Sequence, residues 1–224
     1  KIELTKLFEQ IMSNSFVGDT QVRAIDALAT AQRVRKLKPA GDLNRIRTFL
    51  TEKNLNIQTA VVRLIGAWKL NACVTQLADL VESSADSALW DAGLQSLQEI
   101  GPQSTAALTR LTRTNNKEIQ RQATVQLAAL NPQGAAKPFY QLLAGLQEEK
   151  DLVNFWRKVL VKKDTGKILA KHIPATGITE AAALAGLTAA RDAGRNEPDL
   201  IAAISPYAKV TPQTPELTPA RVAE

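Results

Sequence analysis

Residues 57–69 read IQTAVVRLIGAWK, residues 89–101 read LWDAGLQSLQEIG, and residues 119–130 read IQRQATVQLAAL. Laid on one another, they align Ile57 with Leu89 and Ile119, Ala60 with Ala92 and, one position out of register, Ala123, and Ile65 with Leu97 and Leu127. Within each stretch apolar residues recur at the three- and four-residue steps of one α-helical face. Ile57, Val61, Leu64, Ile65 and Trp68 share such a face, with Asn56 as the expected cap. Leu89, Ala92, Leu97 and Ile100 form a second, stopped by Gly101 and Pro102. Ile119, Ala123, Leu127 and Leu130 form a third, stopped by Asn131 and Pro132. The aligned alanines stand 32 and 31 residues apart, so the unit repeats.

Working outward, each stretch is preceded by a shorter apolar helix: Ile46–Leu50 behind Gly41 and Asp42, then Leu77–Val81, then Leu108–Leu111. A fourth unit places Phe139–Leu146 before Leu152–Leu160. A degenerate fifth covers 168–194, and residues 3–37 form an earlier pair with Val22, Ala24, Ala27 and Leu28 on its second helix. Phe155 falls at the alanine position of the fourth unit, so Phe155 and Trp156 predict a wider gap or a bend there. Gly66 and Gly101 are expected to close helices, and Gly93 to lie within one. No stretch reads as a strand. The expected fold is all-α, about a dozen helices of normal length, stacked as an elongated right-handed α-α superhelix. A pair of about thirty residues cannot bury its apolar face alone, so neighbours must stack, and small alanines let helices approach.

Composition agrees. The chain holds 34 alanines and 28 leucines, only 4% aromatic residues, 11 glycines and 10 prolines, which excludes disorder, collagen-like repeats and disulfide scaffolds. No run approaches the roughly 20 apolar residues that cross a bilayer. Cys73 is the only cysteine and His172 the only histidine. That excludes internal disulfides, cysteine-rich zinc sites and C-x-x-C-H haem attachment within these residues. The start at Lys1, without Met or a signal-like stretch, reads as an excised or processed segment. Residues 206–224 carry Pro206, Pro212, Pro215 and Pro219 among threonines and read as a stiff linker toward a further domain, with a helix opening at Thr218 and Pro219. The rest, 1–205, reads as one helical domain.

The two-helix unit with an apolar-x-x-Ala start resembles a HEAT repeat over residues 43–165. The usual Asp before the second helix and Arg inside it are poorly kept (Gln58, Trp90, Gln120), so armadillo-like or irregular α-α units remain alternatives. The stretch 173–204, IPATGITEAAALAGLTAARDAGRNEPDLIAAI, is similar to the region preceding the c-type haem domain in planctomycete-type putative membrane-bound dehydrogenase proteins. Ala183, Gly186, Leu187, Arg191, Gly194, Arg195 and Leu200 carry that resemblance. It implies a spacer or docking segment of a larger periplasmic or secreted oxidoreductase-like protein. The haem motif is absent, so no cofactor is assigned to any residue here.

Charge is unevenly spread. Residues 33–69 carry nine basic and two acidic side chains, 71–109 carry five acids and no Lys or Arg, and 110–171 carry twelve basic and five acidic. Arg33, Arg35, Lys36, Lys38, Arg45 and Arg47, and separately Arg157, Lys158, Lys162, Lys163, Lys167 and Lys171, are candidates for a polyanion surface. That would make the chain a nucleic-acid-binding, DNA-repair-glycosylase-like protein. The interrupting acidic block and the lack of interleaved aromatics favour solvated faces, or a protein partner met by alternating fields.

No residue reads as catalytic. His172 precedes Ile173 and Pro174 at a helix end and suits a capping contact. Cys73 begins the acidic block and suits a small buried position. Glu148, Glu149 and Asp151 surround Lys150 in a loop without calcium-ligand spacing. Trp68 falls on an apolar face. Trp90 and Trp156 neighbour core positions and are expected to be partly exposed. With Arg157, Lys158, Lys162 and Lys163 they form the candidate partner-binding set. The expected function is a non-catalytic scaffold that positions domains or binds a protein.

Overall fold

The computed structural model describes residues 2–194 and 197–209. Among them are twelve α-helices, four 3-10 segments and no strand. In chain order the helices are α1 (Ile2–Met12), α2 (Gly18–Arg35), α3 (Leu55–Trp68), α4 (Val74–Ser83), α5 (Ser87–Ile100), α6 (Thr105–Leu111), α7 (Lys117–Leu130), α8 (Pro132–Leu143), α9 (Glu149–Val159), α10 (Thr165–Ala170), α11 (Glu180–Asp192) and α12 (Pro198–Ile204). The all-α class is as read from the sequence.

Local chemistry sets the starts. The Asn54 side chain accepts from the backbone N–H of Asn56 and Ile57, Asp86 from Leu89, and Asn116 from Glu118 and Ile119, so α3, α5 and α7 open on the same kind of cap. The cap of α3 is therefore Asn54 and not Asn56, which already lies in the first turn. Asn131 both ends α7 and opens α8, where Pro132 takes the position that needs no N–H donor. Residues Leu43–Thr51 form a 3-10 segment behind Asp42. Leu43, Ile46 and Phe49 stand three apart, and three residues per turn puts them on one edge, against α3.

The longer helices pack in series: α2 on α3, α3 on α5, α5 on α7, α7 on α9, and α9 on α11. The shorter elements lie against them, with α1 on α2, the 43–51 segment on α3, α4 on α5, and α6 and α8 on α7. Ala60, Ala92 and Ala123 are all buried. On α2, which holds Val22, Ala24, Ala27 and Leu28 as expected, the buried face runs through Ala24, Ile25, Leu28 and Ala29, and Ala27 is exposed. Gly66 does not close α3, which runs on to Trp68. A Cβ at Gly66 would stand 2.7 Å from the Ser96 α-carbon, so the glycine permits close approach of α3 and α5.

The fourth unit departs from the others. Rings, more than close backbones, join α8 to α9: Phe139 packs on Phe155 at 5.0 Å and edge-on to Trp156 at 4.6 Å between centroids. The expected gap is thus an aromatic-filled layer. At the far end α12 packs on α10 and α11. Order continues past 205: Ser205–Tyr207 form a 3-10 turn, Ala208 is buried, and Lys209 pairs with Glu180 at 3.1 Å. The rest of the expected linker, with the helix opening at Thr218, and Arg195 lie outside the described residues.

Candidate partner-binding groove

The outward faces of α5, α7 and α9 enclose a groove of about 740 Å³. Its floor is α7: Glu118, Arg121, Gln122, Val125 and Gln126 are half-buried there, whereas Asp91 and Gln95 on α5 and Asp151 and Lys158 on α9 stand exposed as walls. Asn154 and the edge of Phe155 complete the α9 wall, and Val161, 75% exposed, lies at one end. On the floor Glu118 pairs with Arg121 at 2.8 Å and accepts from Gln122 at 3.2 Å. Arg121 Nε is enclosed by the protein beneath the floor, so the guanidinium meets the groove through its other nitrogens, one of which holds Glu118. Carboxamides donate and accept at once, so Gln95, Gln122, Gln126 and Asn154 can bond the main chain of an extended peptide.

Of the six candidate partner residues only Lys158 lines this groove. Trp156 is 0% exposed, against expectation: Leu152 and Val159, four before and three after it, carry it to the core face, and its indole N–H donates to the Ala182 carbonyl at 3.0 Å. It is a core residue and not a contact surface. Trp90 is half-buried, with its N–H donated to Ser84 O at 2.8 Å. Arg157 pairs with Asp192, and Lys162 donates to Ala129 O at 2.8 Å. Lys163 is exposed beyond the end of α9.

The acidic block is accounted for residue by residue. Glu99 pairs with Arg33 at 3.0 Å, Asp79 with Arg110 at 2.6 Å, and Glu82 with Arg110 at 3.6 Å. Asp86 caps α5, and Asp91 alone faces the groove. The acids thus neutralise cations from both basic blocks. Within those blocks Arg45 pairs with Glu9 at 2.8 Å, Lys167 with Asp199 at 3.9 Å, and Lys38 donates to Trp68 O at 2.5 Å. Burial, together with neighbouring Lys69, pulls the Lys38 ammonium below the usual lysine range. Among the described residues Arg33, Arg45, Arg110, Arg157 and Lys167 are thus held by carboxylates.

The remaining sequence candidates fall into place. His172 is exposed, and its Nδ1 lies 2.8 Å from Ile168 O, a contact with a carbonyl of the preceding helix. Glu149 and Asp151 stand in the first turn of α9, where negative charge suits the helix N-terminus. Trp68 is buried, edge-on to Phe8 at 5.6 Å. Cys73 is fully buried, and burial pushes its thiol up against a smaller opposing pull from Arg47. A raised value leaves less thiolate near neutrality, and the thiolate is the nucleophile. A maleimide should therefore label Cys73 about tenfold or more slowly in the native protein than in denaturant, the rate gaining only as pH rises. Fast native labelling, read by mass spectrometry, would refute a buried position.

Among the described residues no three His, Cys, Asp or Glu side chains gather to hold a metal ion, and no helix is long and apolar enough to cross a membrane. No protein-family model, curated protein or solved structure matches the chain.

Proposed function

We propose that the chain is a non-catalytic α-helical repeat scaffold, HEAT-like and built as an α-α superhelix, whose groove over α7 docks an extended segment of a protein partner or of a neighbouring domain. The serial packing of α2, α3, α5, α7, α9 and α11 supports the superhelix. The observation that carries the docking role is the groove over α7 lined by the carboxamides of Gln95, Gln122, Gln126 and Asn154. Asp91 and Asp151 on its walls favour a segment with Lys or Arg beside them. A place in a larger periplasmic or secreted oxidoreductase, with haem and propeller modules elsewhere, rests on the resemblance of residues 173–204 alone. The nucleic-acid reading loses support from the ion pairs of Arg33, Arg45, Arg110 and Arg157.

The test is selection of a random-peptide display library on the immobilised chain. Enriched peptides should carry basic residues and lose about tenfold in affinity when Asp91 and Asp151 become lysine, a difference of about 1.4 kcal/mol. The Gln122→Ala, Asn154→Ala double variant should weaken them as well. Enriched peptides indifferent to all four positions would sink the docking role. Steeply salt-dependent binding of a short duplex would favour the nucleic-acid reading instead.

A further inference from the structure

The repeat fails most clearly where α10, only six residues long, replaces a full first helix and residues 171–179 wander before α11 begins. Departures from an otherwise consistent pattern are where function or strain is expected. A second groove of about 710 Å³ opens there, between α8 and the 172–179 segment. We infer that this groove binds a small apolar carboxylate, its hydrocarbon or aromatic body against the α8 wall and its carboxylate beside Lys137 and His172. This site is separate from the groove over α7 and does not rest on the scaffold reading.

The wall is mostly apolar: the Tyr140 ring, Leu143, Ala144, Pro174, Ile178 and Ala182 line it. The volume lies within the range of about 300–1,000 Å³ typical of small-molecule sites. The lining contains two groups able to carry positive charge, Lys137 and His172, and no Asp or Glu. Cationic side chains in a lining without a carboxylate favour an anion. The nearby acid Glu180 is held by Lys209 at 3.1 Å.

The walls are also fixed in place. The Tyr140 hydroxyl donates to Leu169 O at 2.9 Å, and Gly177 N–H donates to Pro174 O at 2.7 Å, closing a turn at the left-handed φ of +75° that Gly177 permits. The Tyr207 ring covers that glycine where a Cβ would stand. A carbonyl only accepts, so the contact of His172 Nδ1 with Ile168 O puts a hydrogen on Nδ1, and Nε2 donates to a carboxylate only when the ring carries its second hydrogen. Lys137 and, in its doubly protonated form, His172 are single-point donors without an Arg fork, which suits one carboxylate better than a phosphate that recruits bidentate partners and helix N-termini. The nearest such terminus, that of α11, is occupied by its own cap, Thr179 bonding Ala182 N–H at 3.2 Å.

Dodecanoate, kept below its micellar range, is the probe, titrated calorimetrically into the full chain. Saturable one-to-one binding is expected, weakened about tenfold by Lys137→Glu, as loss of a charge-assisted contact implies. Ala144→Trp, a change at the exposed residue that follows the end of α8, should fill the groove and block uptake while far-ultraviolet circular dichroism stays unchanged. Dodecyltrimethylammonium, with the same tail and opposite charge, should bind at least about tenfold more weakly. The proposal is overturned by absence of saturable binding, by binding that both variants leave intact, or by equal affinity for the cationic amphiphile.

Discussion

Trp156→Ala should lower the free energy of unfolding by about 3–5 kcal/mol, the range for truncating a large buried aromatic. The indole is fully buried and sits at the meeting of three helices. It stands edge-on to Phe139 of α8 at 4.6 Å and to Tyr140 at 6.3 Å, and its N–H reaches Ala182 O in α11 at 3.0 Å. A Cβ at Gly186 would lie 3.0 Å from the ring, so the ring rests almost directly on the α11 backbone. Enclosed by the Phe139 and Tyr140 rings and by the packed α11 backbone, the site can collapse only partly when the indole is removed. Trp156→Phe keeps much of the packing but deletes the hydrogen bond, and should cost about 1–3 kcal/mol. Urea unfolding followed by circular dichroism measures both. If Trp156 were an exposed contact residue, its truncation would fall within about 0.5 kcal/mol of wild type, and a result of that size would remove the aromatic layer as an anchor of the fourth unit.

Sequence periodicity identified the helical class and the buried alanines because both depend on local spacing. Element ends were less legible. Asn54 and Asn56 both suit a cap, and which side chain folds back on the free N–H groups depends on φ and ψ that no pattern displays. Gly66 reads as a stop until Ser96 of the next unit is known to press against it. Trp156 misled for a specific reason: setting Phe155 on the alanine register pushed its neighbour outward, although Leu152 and Val159 mark Trp156 as part of the core face. The groove had a visible signal, polar residues at four-residue steps in Asp91–Gln95 and Glu118–Gln122–Gln126, but such a stripe is equally the mark of a solvated face. What makes it a groove is that α7 sits deeper than α5 and α9. That depth comes from non-local packing and has no counterpart in the spacing of residues.

Gly66→Ala should destabilise by about 1–3 kcal/mol even though alanine is the better helix former by about 1 kcal/mol. The new methyl would meet the Ser96 α-carbon at 2.7 Å, together with the Ser96 hydroxyl, which itself donates to Val62 O at 2.8 Å. An α-carbon cannot turn away, so α3 and α5 must separate and the bond to Val62 must stretch. Gly93→Ala offers the contrast. There the obstacle is a Val81 methyl, while the Val81 Cβ lies at an ordinary 3.8 Å from the added atom, and rotation about one bond relieves part of the conflict, so the loss should be smaller. The Gly66 variant also tests the proposed superhelix. In a one-dimensional array each unit is held only by its neighbours, and a wedge between α3 and α5 weakens the coupling between the two ends. Amide exchange should then show α1–α3 losing protection ahead of α7–α11, and urea unfolding should broaden toward two steps. A single transition with protection lost uniformly would mean one undivided core, and the scaffold reading would lose its mechanical basis.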